Sequence, residues 1–65
     1  MFEIENVEHS HYRLWEGVKH VGTFIMRDGE WCFDILGVIS QDANPSIFPF
    51  ILKTLENLNN GVVYE

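Results

Sequence analysis

Three histidines, one cysteine and a spread of carboxylates are the side chains in this chain able to do chemistry. His9 and His11, two residues apart, put two imidazoles on the same face of a strand. Cys32 or Asp34 would have to complete a metal site with them. The spacing argues against this, because a structural zinc wants four ligands in close pairs. In the strand register derived below, Val21 and Thr23 of the middle strand also stand between the two histidines and Cys32 or Asp34. A lone cysteine in a strand ordinarily behaves as a small hydrophobe, and Cys32 forms no dyad with a histidine on sequence grounds. His20 is expected on the apolar side of the sheet opposite Tyr12, as a satisfied and partly buried imidazole. The chain has no Gly-rich phosphate loop, paired-cysteine motif, HExxH or Gly-x-Ser-x-Gly turn. We therefore expect no catalytic residue, no metal and no cofactor, and a protein that is not an enzyme.

The elements that must position these residues are marked by turn dipeptides. Asp28-Gly29 between two runs of β-formers is a strong hairpin signal, since a type I′ turn needs positive φ at both central residues. A two-residue turn there pairs Arg27 with Glu30, Met26 with Trp31, Phe24 with Phe33 and Gly22 with Ile35. Phe24, Met26, Trp31, Phe33 and Ile35 then share one face, which supports the register. For the earlier hairpin, a three-residue loop Trp15-Glu16-Gly17 with Gly17 in a left-handed bulge pairs Leu14 with Val18 and Tyr12 with His20. That choice keeps Tyr12, Leu14 and Val18 on the core side. Phe2 and Ile4 either extend the first strand or form a short strand of their own.

The last third changes period. Asn44 or Ser46 is the expected cap of a helix, Pro49 is tolerable only near its first turn, and Gly61 after Asn59-Asn60 is the natural stop. Ile47, Phe48, Ile51, Leu52, Leu55 and Leu58 fall on an arc about 140° wide. Val62-Val63-Tyr64 is left to form an edge strand or to lie over the core. The expected fold class is α+β: a three-stranded antiparallel β-meander with one C-terminal amphipathic helix on one face, β-β-β-α, and room for a short extra strand from a terminus. The strands are expected at about 8–14, 18–27 and 30–37 and the helix at about 45–59, in one small domain spanning residues 1–65. The double-stranded RNA-binding domain differs from this order in beginning with a helix. It also carries a basic cluster where its last helix starts, and Pro45-Ser46-Ile47-Phe48-Pro49 has no Lys or Arg.

Length and charge bound what such a domain can do. The chain has 65 residues, a net charge of −6 and 46% hydrophobic residues. That is too apolar for a disordered acidic tail. Ten acids against four bases argue against direct nucleic-acid binding, which needs clustered Lys and Arg. No apolar run reaches the ~18–20 residues of a membrane span, and the start Met1-Phe2-Glu3-Ile4-Glu5 lacks the basic and apolar regions of a signal peptide. A single cysteine fits a reducing compartment. The expectation is a soluble, cytoplasmic protein. A domain this short usually needs a disulfide, a metal or an oligomer, and of these self-association is what remains.

The face of the sheet away from the helix is expected to carry Val21, Ile25 and Leu36 among polar neighbours. Trp15 sits at a hairpin turn in this register, and Phe50 lies outside the helical arc. These five are the expected contact residues for a partner protein or a second copy, since exposed Trp and Phe are common anchors. Glu3, Glu5, Glu8, Asp28, Glu30 and Asp34 form the expected acidic surface. Glu3 and Glu5 share a strand face, and Glu8 joins them if the strand is bulged. Together these features lead us to expect a small interaction module, an adaptor or inhibitor acting as a homodimer. In its shortness, acidity and cysteine content it is similar in type to accessory proteins of phages and mobile elements. The alternatives are an acidic DNA-mimicking inhibitor of a nucleic-acid enzyme and a structural subunit of a larger assembly.

Overall fold

The structure is a computed structural model that describes residues 1–36 and 44–64. Its elements are β1 (Phe2–Glu8), β2 (His11–Glu16), β3 (Lys19–Arg27), β4 (Glu30–Ile35) and α1 (Ile47–Asn59). The strands form an antiparallel sheet in the order β1-β2-β3-β4, so the fold is α+β with a C-terminal helix. Among the described residues there are four strands rather than three. The run expected at about 8–14 is broken by a turn at His9-Ser10, because Glu8 pairs directly with His11. Phe2–Glu8 is thus a strand in its own right.

The β3–β4 hairpin has the expected register, from Arg27 opposite Glu30 to Gly22 opposite Ile35. Asp28 at φ 52° and Gly29 at φ 83° supply the two left-handed positions of a type I′ turn. The β2–β3 hairpin differs from expectation. Glu16 pairs with Lys19, so the turn is Gly17-Val18, with Gly17 at φ 60° as the first central residue. Left unbroken, that register would send Tyr12 and Leu14 to the wrong side. A bulge in β3 corrects it: Trp15 pairs with His20, Leu14 pairs with Gly22, and Val21 is the extra residue between them. Val21 is consequently a core side chain, only 5% exposed, and does not stand on the outer face. Val18 is at the exposed turn and His20 lies opposite Trp15, so neither packs with Tyr12. A second bulge, between Asn6 and Glu8, does the same for β1. It brings Phe2 and Ile4 onto the side of Leu14 and Tyr12.

The core gathers on that one side. Tyr12, Leu14, Val21 and Phe24 from the sheet meet Ile47, Ile51 and Leu58 from α1, with Phe2, Ile4, Trp31, Phe33, Phe50 and Leu55 packed around them. Phe33 lies across Gly22, the one place in β3 where a flat ring can rest on the backbone. A Cβ there would run into the Phe33 ring and the Asp34 carbonyl oxygen.

The helix is rotated from the expected arc. Its buried residues are Ile47, Ile51, Thr54 and Leu58, while Phe48 and Leu52 are exposed. The buried arc is turned by roughly 60° toward Phe50, at 100° per residue. Phe50 accordingly packs against Phe2, ring centroids 5.2 Å apart, and is not a free anchor. Thr54 enters the core because its hydroxyl donates to the Phe50 carbonyl at 2.8 Å, which leaves no unpaired polar group. Asn44, rather than a side-chain cap from Ser46, organises the helix start: its Oδ1 accepts from the Ser46 N–H and hydroxyl. At the other end Gly61 at φ 90° closes a Schellman turn, with the Val62 N–H bonded to the Asn57 carbonyl and the Gly61 N–H to that of Leu58. The tail then lies over the core. The Tyr64 ring meets Tyr12 edge-on, its hydroxyl accepts from Asn57, and its carbonyl accepts from Asn6.

Gly22→Ala is expected to cost about 2 kcal/mol, the range of overpacking a filled site. The measurement is urea unfolding, where the midpoint should fall with an unchanged slope. Gly17→Ala meets no neighbouring atom and should cost about 1 kcal/mol through its left-handed φ alone. Equal midpoints for Gly22→Ala and the parent chain would show that Phe33 does not rest on this glycine.

Candidate functional site

The sheet has one side under α1 and one side without any described element over it. On that outer side the strand pairings set out three rows. Glu3, Glu5 and Glu8 of β1 stand opposite Trp15, Arg13 and His11 of β2. The Asn6/Glu8 bulge is what brings Glu8 into line with the other two glutamates. Thr23 and Ile25 of β3 stand between Arg13 and His11 on one side and Asp34 and Cys32 of β4 on the other.

Several of these groups satisfy one another. The Trp15 indole N–H donates to Glu5 at 2.9 Å, and Arg13 approaches the same carboxylate oxygen at 3.6 Å. The Trp15 and His20 rings are stacked 5.1 Å apart, and His20 Nε2 sits 3.0 Å from the Gly22 carbonyl oxygen. Trp15 is thus a half-buried strand residue with a satisfied polar end, not a residue at a turn. Arg27 holds Asp34 with two contacts, 2.7 and 3.4 Å. Such exposed pairs contribute roughly 0–1 kcal/mol each. They pattern the surface more than they hold it together.

The residues with potential chemistry are not assembled. His9 lies in the β1–β2 turn and His11 in β2, so they do not share a strand face. His11 and Cys32 both neighbour Ile25, one from each side, which sets them two strand spacings or roughly 10 Å apart. Among the described residues no three His, Cys, Asp or Glu side chains come together to hold a metal ion. Cys32 is half-buried, with its thiol 3.9 Å from the Glu30 carbonyl oxygen.

The five expected contact residues separate. Val21 and Phe50 belong to the packing, Trp15 and Ile25 are half-buried on the outer side, and Leu36 is exposed at the end of β4. Of the expected acids, Asp28 is in the β3–β4 turn, Glu30 pairs with Arg27, and Asp34 is bound by Arg27, leaving Glu3 and Glu8 as the ends of the β1 row. Sequence reasoning missed two asparagines. Asn59 Oδ1 accepts from the Trp31 backbone N–H at 2.9 Å and ties α1 to β4, and Asn6 ties the tail to β1. Their only sequence signal is polarity at positions where a helix or strand former would be ordinary.

No helix among the described residues is long and apolar enough to cross a membrane. Comparison with family models, curated proteins and solved structures finds no match to this chain.

With the histidines and Cys32 this far apart, excess zinc is expected to leave the melting temperature of the parent chain and of the double variant His9→Ala, His11→Ala equally unchanged. A zinc-dependent rise in the parent that disappears in the variant would mean the two imidazoles act together. Thermal unfolding with and without the metal reads this directly.

Proposed function

We propose that this protein is a small non-enzymatic interaction module, an adaptor or inhibitor that acts in the cytoplasm by docking the outer side of its sheet on another protein. The observation that carries this reading is the outer side itself. Among the described residues α1 and the tail cover one side only, and the other side bears the Glu3, Glu5 and Glu8 row beside the flat Trp15–His20 stack. Aromatic anchors next to complementary charge are what interfaces use for affinity and for steering. A row of carboxylates with a net charge of −6 behind it selects a partner surface rich in Lys and Arg.

A second reading follows from the β1 bulge. By placing Glu8 on the same face as Glu3 and Glu5, it makes a row of carboxylates along the edge strand β1, which supports an inhibitor that imitates a phosphate backbone. Against a full mimic, Glu5 is shared with Arg13 and Trp15, and Asp34 with Arg27.

The test is capture of a partner by the tagged chain from an extract of its own source. Capture should weaken as salt is raised, and the double variant Glu3→Lys, Glu8→Lys should lose it at least tenfold while keeping the parent circular dichroism. Capture indifferent to both salt and charge reversal overturns the proposal. Competing duplex DNA separates the two readings: if it displaces the captured protein, that protein's nucleic-acid groove is the docking site. If it does not, the mimic falls.

A further inference from the structure

A different part of the surface carries several of the large apolar side chains that the fold leaves in water. Ile35 at the end of β4 is 49% exposed, and Phe48 and Leu52 of α1 are 49% and 67% exposed. Two contacts fix how these stand to one another. Asn59 holds the Trp31 N–H, so the end of α1 lies at the start of β4. Phe50 packs on Phe2, so the start of α1 lies at the sheet end marked by Phe2 and Glu16. The helix therefore runs antiparallel to β4. At ~1.5 Å per helical residue and ~3.3 Å per strand residue, Phe48 lies roughly 16 Å back from Asn59 and Ile35 roughly 13 Å on from Trp31. They reach the same level. Phe50 faces β1, and Phe48 and Leu52, about 160° round the helix from it, open on the β4 side.

We propose that this strip is where a second copy of the chain docks, with two α1 helices meeting across a two-fold axis near Leu52. The proposal deepens the reading of the protein as an interaction module and rests on it: each protomer would keep its sheet face outward. Area favours this occupant. These three side chains expose on the order of 300 Å² of apolar surface, more than half of the apolar share of the ~800 Å² that one partner brings to a standard interface. Charge favours it as well. On α1 the charged residues are Lys53 and Glu56, which pair with each other at 3.8 Å and cancel. The other described acids, Glu3, Glu5, Glu8, Glu16, Asp28, Glu30 and Asp34, belong to strands and their turns. Among the described residues, a copy approaching the outer side of the sheet meets like charge, whereas one approaching α1 does not. A two-fold contact repeats the same residues on both partners, so an electrically neutral apolar strip suits it.

Sedimentation velocity on the whole chain across a micromolar to millimolar series tests the proposal. The mass should move from one chain toward two, and Leu52→Lys should raise the dissociation constant at least tenfold with unchanged circular dichroism and urea midpoint. In a Cys32→Ser background, Leu52→Cys should be oxidised to a covalent dimer at least tenfold faster than Val18→Cys, which places the thiol at the β2–β3 turn. A one-chain mass at every concentration overturns the proposal. So does a dimer that Leu52→Lys leaves intact, or equal oxidation of the two cysteine variants. Partner capture that survives Leu52→Lys but not Glu3→Lys, Glu8→Lys leaves the sheet-face reading standing when the dimer fails. The opposite pattern removes that reading and keeps the dimer.

Discussion

A four-stranded sheet covered by a single helix has to keep every large apolar strand residue on the same side, and strand alternation makes that a question of odd and even counts. Each two-residue hairpin turn sets a parity for the strands it joins. In the β3–β4 hairpin the turn and the apolar pattern agree. In the other two they do not, and each conflict is resolved by one extra residue: Val21 in β3 and Val7 in β1. The bulges let Ile4, Leu14, Tyr12, Phe24 and Phe33 face α1 together. Without them the helix would cover a half-polar surface, and the rest of the core would have no partner.

The packing that follows is local and particular. Gly22 stands opposite Leu14 on one side and Ile35 on the other, and its missing side chain is filled by Phe33. A full-sized residue at that position would lift Phe33 from the sheet and push α1 outward. Asparagines then lock the layers where apolar contact ends. Asn59 serves the outward-pointing N–H of Trp31 on an edge strand, where an unpaired backbone donor invites a foreign strand. Asn6 and Asn57 hold Tyr64 across Tyr12 and close the far end of the core.

These packing choices also decide what the surface offers. Rotating α1 to bury Thr54 and to bring Phe50 against Phe2 turns Phe48 and Leu52 out of the core. Inserting Val21 into the core removes an aliphatic from the outer side, which is then dominated by ion pairs, a Trp–His stack and a glutamate row. Among the described residues the surface is divided between apolar side chains of α1 and an acidic sheet face, and both follow from how α1 sits on the sheet.

Sequence alone was enough for the α+β class, the Asp28-Gly29 hairpin with its register, the helix with its Gly61 stop, and the requirement that Tyr12 and Leu14 share a side with Phe24. These depend on single-residue φ preferences and on periodicity, which are local properties. It was also enough to see that no familiar catalytic or metal spacing is present. Where the extra residue goes was not legible. A bulge at Val21 and a longer turn at Trp15-Glu16-Gly17 give the same parity, and they differ in which β3 residues face Leu14 and Tyr12, which in the fold are Gly22 and Phe24. The rotation of α1 was hidden for a similar reason: Phe48 and Leu52 are as apolar as Phe50, and Thr54 is less so. Contact with Phe2, at the opposite end of the chain, draws Phe50 rather than Phe48 or Leu52 against the core. Periodicity along one element carries no information about that distant partner, so the position of the leftover surface belonged to tertiary structure alone.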